Sequence, residues 1–172
     1  FGAEIGVERH QGALTARLRG PQTLRGAALS VPGDPSSAAF AVAAALIVPG
    51  SEVEITGVMT NPARFGLYVT LQDMGARLGV TASGSRAGEA LCDLSVRAGG
   101  LRGVRVPASR APSMIDEYPI LAVIAAFAEG ETMMEGLGEL RAKESDRLAA
   151  TAALLLANGV PVETGADWMR IQ

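Results

Sequence analysis

Val31-Pro32-Gly33-Asp34-Pro35-Ser36-Ser37-Ala38-Ala39-Phe40 is the stretch on which the fold turns. Asp34 has the right side chain to cap a helix, Pro35 suits the first helical position, and Ala38 to Val48 is apolar on every side until Pro49-Gly50 ends it. A helix that is apolar all round must be covered all round. The same grammar returns at Ala111-Pro112-Ser113-Met114-Ile115-Asp116-Glu117-Tyr118-Pro119, which leads into an apolar run from Ile120 to Ala128 and stops at Glu129-Gly130. Each copy continues as strand, charged loop, second helix, a closing Gly75 or Gly159, and strand again. The chain therefore reads as α+β, a repeat of about eighty residues with elements in the order βαβαββ. Closed repeat architectures need roughly three or more copies. Two are present, so the chain is expected to be incomplete.

Working outward, Ala3 to Glu8 and Leu14 to Leu18 alternate around His10-Gln11-Gly12, which predicts an opening hairpin with His10 in its turn. Leu24 to Val31 reads as a strand, Glu52 to Thr56 as a half-exposed strand, and Leu67 to Met74 as a helix closed by Gly75. Arg77 to Thr81 and Leu91 to Arg97 read as strands joined by the polar stretch Ser83 to Gly88. Cys92, Leu94 and Val96 share one face of the second, which makes Cys92 a packed core thiol.

Composition narrows the function. The 172 residues carry a net charge of −3 and only 4% aromatics, which argues against a nucleic-acid partner. One cysteine and one histidine, His10, exclude an intrachain disulfide and leave no His/Cys cluster for zinc. No apolar run is long enough to span a bilayer, and a reducing, cytoplasmic setting fits. The opening Phe1-Gly2-Ala3 lacks a Met, again as expected of a piece of a longer chain.

Charge concentrates in Glu139-Leu140-Arg141-Ala142-Lys143-Glu144-Ser145-Asp146-Arg147-Leu148, six charged residues in ten. Leu148 to Gly159 is helix-forming, which predicts Lys143 to Arg147 in a first helical turn, where free N–H groups favour anions. Lys143 and Arg147 would then project from one face, with Glu144 close enough to pair with Arg147. A solvated helix start whose charges pair only with each other is the plainer reading. Asp116 is likewise open to two readings. Ser113-x-x-Asp116 has the spacing of a capping box, which would engage its carboxylate; alternatively both helix starts face one end of the unit and Asp116 meets Lys143 and Arg147. The second arrangement suits an anionic substrate whose hydroxyl loses a proton to Asp116.

Gly33-Asp34-Pro35-Ser36-Ser37, Asn61-Pro62-x-Arg64-x-Gly66, Ile115-Asp116-Glu117-Tyr118-Pro119 and Arg141-x-Lys143-Glu144-Ser145-Asp146-Arg147 together resemble 5-enolpyruvylshikimate-3-phosphate synthase, with Ala142 where many members have Val. The resemblance implies a two-lobed enzyme, each lobe an α/β prism of three βαβαββ units with helices inside and sheets outside. Residues 1–30 would be the tail of one lobe and 31–172 an incomplete second lobe, with 31–110 its first unit, 111–172 its second, and the third missing. It implies transfer of the enolpyruvyl group of phosphoenolpyruvate to the 5-hydroxyl of shikimate 3-phosphate with release of phosphate, on the shikimate pathway to chorismate and the aromatic amino acids, without metal or organic cofactor. By the same resemblance Asp116 contacts the shikimate hydroxyls and accepts the proton, Lys143 binds that hydroxyl region, Glu144 lies by the phosphoenolpyruvate methylene, and Arg147 grips phosphoenolpyruvate. The family's remaining essential residues lie outside this chain, which alone is expected to be inactive and to need the rest of the two-lobed enzyme as its partner. Two rivals stand beside this reading: the sister transferase acting on UDP-N-acetylglucosamine, and a noncatalytic repeat domain with solvated charges.

Overall fold

Gln11 and Gly12 both take left-handed backbone, φ 47° and 84°, the geometry that lets a two-residue turn follow the twist of paired strands. They join β1 (Ile5–His10) to β2 (Ala13–Leu18), with His10 facing Ala13 as the last pair of the ladder rather than in the turn itself. In the computed structural model, which describes all of residues 1–172, this hairpin lies in a unit of Phe1–Ser30, and Val31–Gln172 forms the other. Gln22 braces the first unit by accepting from the Glu4 N–H at 2.7 Å and donating to the Glu4 carbonyl at 3.0 Å. Leu24 to Val31 is not a strand: these residues are exposed and irregular. Strand propensity needs a neighbouring ladder to be realised, and none is offered there.

In the second unit α1 (Pro35–Ile47) begins where the sequence indicates, with the Asp34 carboxylate accepting from the Ser37 N–H at 2.9 Å. Next come β3 (Glu52–Met59), α2 (Gly66–Asp73), β4 (Arg77–Arg86) and β5 (Glu89–Arg97), giving a sheet in the order β3-β5-β4, antiparallel throughout. The β4–β5 strands run further than the sequence suggests, because the chain reverses in only two residues, Ala87 and Gly88, both at positive φ. Gly33 forms a parallel bridge with Val58, holding the place of a first strand. β3 bulges between Ile55 and Val58; Gly57 supplies the positive φ of 67°, and its freed N–H donates to Asp93 at 2.8 Å.

The second repeat has the same wiring. β6 (Arg105–Val106), α3 (Tyr118–Ala125), β7 (Thr132–Glu135), α4 (Arg147–Ala157), β8 (Val162–Thr164) and β9 (Trp168–Ile171) form a sheet β6-β7-β9-β8, parallel at β6–β7 and antiparallel elsewhere. That is the order Gly33-β3-β5-β4 over again. β6 lies before residue 111, so the second sheet recruits chain ahead of the 110/111 boundary expected from the sequence.

The core sits between the helices and the inner faces of the sheets. α1 packs on α3, β3 and β5, and α3 on α4. Cys92, Leu94 and Val96 are buried as their alternation requires, and burial pushes the Cys92 thiol up, helped by Asp93. Each Leu or Val so buried contributes about 1.5–3 kcal/mol. α1 is not covered all round, however. Its buried side is Ala38, Ala39, Val42, Ala43, Ala45 and Leu46, whereas Phe40 is 65% exposed, because α3 and the first sheet reach only one side of it. Arg110 fastens the repeats together, donating to Asp73 at 2.6 Å and Thr70 at 3.0 Å on α2. No helix is long and apolar enough to cross a membrane.

Candidate active site at two helix entries

The charged stretch does not begin α4 where its composition suggests. Gly138–Ala142 form a 3-10 turn, Lys143 is extended at φ −79° and ψ −162°, and the helix starts only at Arg147. The reason is local: the Asp146 carboxylate accepts from the Ala149 N–H at 2.9 Å, and a capping residue lies outside the helix it caps. Glu144 and Ser145 are therefore loop residues, and Lys143 is delivered by the loop. Arg141 holds that loop in place, donating to the Ala166 and Gly165 carbonyls at 2.9 and 2.5 Å and to Asp146 at 2.7 Å.

Asp116 arrives from the other helix entry. It sits in a 3-10 turn, Ile115–Glu117, immediately before α3. The capping box does not form: the Ser113 hydroxyl donates back to the Arg110 carbonyl at 2.8 Å, and the turn has no side-chain cap. The Asp116 carboxylate is left for the cations. Its Oδ1 lies 3.0 Å from Arg147 Nη1 and 3.6 Å from Lys143 Nζ, while Arg147 Nη2 donates to Glu144 at 2.5 Å. Asp116, Lys143, Glu144 and Arg147 thus form one cluster.

Glu139 joins it, 2.7 Å from Lys143 Nζ. The only sign of this in the sequence is the acid-before-base spacing of four. Hydrogen bonding to Glu139 holds the Lys143 ammonium above its ordinary value, against some burial and with help from Asp116. Glu144 is held below the usual carboxylate range, first by its own backbone N–H and then by Arg147. At neutral pH the cluster consequently presents an ammonium, a guanidinium and an ionised Glu144 at the surface. Asp116 is half exposed and Glu144 80% exposed, so both are open to a ligand. Such a set can hold an anionic group between Lys143 and Arg147 while a carboxylate takes or returns a proton beside it.

A family model described as EPSP synthase (3-phosphoshikimate 1-carboxyvinyltransferase) matches residues 1–172. A protein of that second name from Maricaulis maris is 57% identical over 171 residues, covering 99% of this chain and 38% of that protein. Its namesake from Methylorubrum populi is 62% identical over 164 residues, covering 93% and 36%. Among solved structures, EPSP synthase from Acinetobacter baumannii superposes with a TM-score of 0.87 at 36% identity, over the whole chain and 38% of that protein. The enolpyruvyl transferase NikO from Streptomyces tendae, at 18% identity and a TM-score of 0.68 over 98% of this chain and 37% of its own, shares the fold. The chain spans about 38% of the length of the curated relatives it matches.

Proposed function

Because the chain belongs to the EPSP synthase (3-phosphoshikimate 1-carboxyvinyltransferase) family, we propose that it supplies one side of a site transferring the enolpyruvyl group of phosphoenolpyruvate to the 5-hydroxyl of shikimate 3-phosphate. The observation that carries this reading is the meeting of Asp116, Lys143, Glu144 and Arg147 within 3.6 Å of one another through successive partners. In it, Asp116 accepts the proton as the hydroxyl oxygen attacks C2 of phosphoenolpyruvate, while C3 takes a proton drawn from solvent by way of Glu144 and becomes a methyl group. Loss of phosphate and of one methyl proton from the tetrahedral adduct then restores the double bond. Glu144, held ionised, suits the withdrawal of that methyl proton. Lys143, held cationic, donates to the hydroxyl region, and Arg147 offers its planar fork to the carboxylate and phosphate of phosphoenolpyruvate.

In this reading residues 1–30 belong to the first lobe, and 31–172 are two units of the second. A third unit would cover Phe40 and the outer side of α4, where Leu154 and Leu156 are exposed beside alanines and no charge follows Arg147. The setting is the cytoplasm, with no metal or organic cofactor taking part. The test is phosphate release from phosphoenolpyruvate by the chain completed to the length of its relatives. Release with shikimate 3-phosphate and none with UDP-N-acetylglucosamine is expected. Release with the sugar nucleotide alone would contradict the assignment of the acceptor.

A further inference from the structure

Two motifs of the first repeat, Gly33 to Ser37 and Asn61 to Gly66, contribute nothing to the charged cluster itself, yet the structure draws both toward the turn that bears Asp116. Gly66 lies so close to that segment that a Cβ on it would stand 2.3 Å from Ser113 Oγ and 3.1 Å from Met114 Cβ. Arg64 Nη2 donates to Ser36 Oγ at 2.6 Å and to Asp34 Oδ1 at 3.0 Å. The Ser36 hydroxyl in turn donates to the carboxylate of Glu117, the residue next to Asp116.

Glu117 is 6% exposed. A carboxylate buried to that degree is costly unless charge and hydrogen bonds compensate it, and here a single hydroxyl passes the compensation on from a guanidinium. Its negative charge is felt by the neighbouring Tyr68, whose phenol is pushed far up by burial first and Glu117 second, and which donates to the Pro35 carbonyl at 2.6 Å. The turn itself has little else to fix it. It is three residues long, uncapped by any side chain, and of the 3-10 type, whose hydrogen bonds are weakly aligned.

We propose that Arg64, Ser36 and Glu117 form a relay of positioning residues by which the first repeat holds the Asp116 turn of the second in register with Lys143 and Arg147. Asp116 then owes its placement to residues 36 and 64, on the far side of the repeat boundary. The kinetic consequence rests on the proposed function, whereas the structural consequence does not.

Two readouts separate these. In the 172-residue chain, the carboxyl-carbon NMR resonance of Asp116 at pH 7 is expected to move from its wild-type position in Ser36→Ala and to return to it in Ser36→Thr, which keeps the hydroxyl. In the completed chain, Ser36→Ala is expected to lower kcat with shikimate 3-phosphate about tenfold or more while KM for phosphoenolpyruvate stays within about twofold, with recovery in Ser36→Thr. Glu117→Gln, isosteric but uncharged, is expected to move both readouts in the same direction and serves where Ser36→Ala fails to fold. An Asp116 carboxyl resonance unmoved in Ser36→Ala and Glu117→Gln would overturn the relay. A completed wild-type chain without transferase activity would overturn the function instead and leave the Asp116 resonance to decide the relay.

Discussion

Lys143 and Arg147 both approach Asp116, but they are different instruments. Arg147 uses two nitrogens of one planar fork, Nη1 toward Asp116 at 3.0 Å and Nη2 toward Glu144 at 2.5 Å, so its plane is set before any ligand arrives. Lys143 is a compact charge on a flexible stem, 2.7 Å from Glu139 and 3.6 Å from Asp116, and can turn to a hydroxyl by giving up one partner. In the completed chain, Lys143→Ala and Arg147→Ala are each expected to lower kcat/KM by about 10²- to 10³-fold, the range seen when one preorganised donor to a transition state is removed. Arg147→Lys keeps the charge but loses the fork, so it should recover only a small part of that loss. Steady-state kinetics with each substrate varied in turn checks this. Activity within twofold of wild type in both alanine variants would favour the plainer reading of solvated charges.

Among the elements, the start of α1 was legible because its determinants are adjacent in sequence: Asp34 accepts from Ser37, and Pro35 occupies the first position. Removing that cap in Asp34→Ala should cost about 1 kcal/mol at pH 7, read as a lowered thermal midpoint. The acid limb gives an independent check. Burial raises the Asp34 carboxyl, but the Ser37 hydroxyl and N–H and the Arg64 guanidinium outweigh it and hold the group below its ordinary value of 3.8. Its stabilising contribution is therefore complete above pH 3.8 and fades as pH falls through the lower folded value. Asp34→Asn, which can still cap, should flatten the stability profile in that window. The Asp146 cap that starts α4 is local, but the turn before α3 and the loop before α4 were harder to read because more distant partners place them. Arg141 reaches Gly165 and Ala166 and so holds the loop that carries Lys143, while Ser113 turns back to Arg110 and leaves Asp116 uncapped. The pairing of Glu144 with Arg147 was legible from spacing, although Glu144 reaches it from the loop rather than from the helix. The burial of Glu117 was not, since nothing near it in sequence marks it as the partner of residues 36 and 64.

At the scale of the molecule, the repeat was readable because it is written twice, and the two sheets share one order of parallel and antiparallel pairs. Apolar periodicity alone overstated how far α1 is covered within this chain, since full coverage depends on what lies opposite Phe40. Under the proposed function these 172 residues supply one side of a transfer site and act only with the other, because closing a cleft excludes water and completes the set of groups around the substrates. The most direct measurement is phosphate release from phosphoenolpyruvate and shikimate 3-phosphate by the folded chain alone and by the chain completed to its relatives' length. No release is expected from the first and turnover is expected from the second. Turnover by the 172 residues alone, or silence from the completed chain, would contradict that reading.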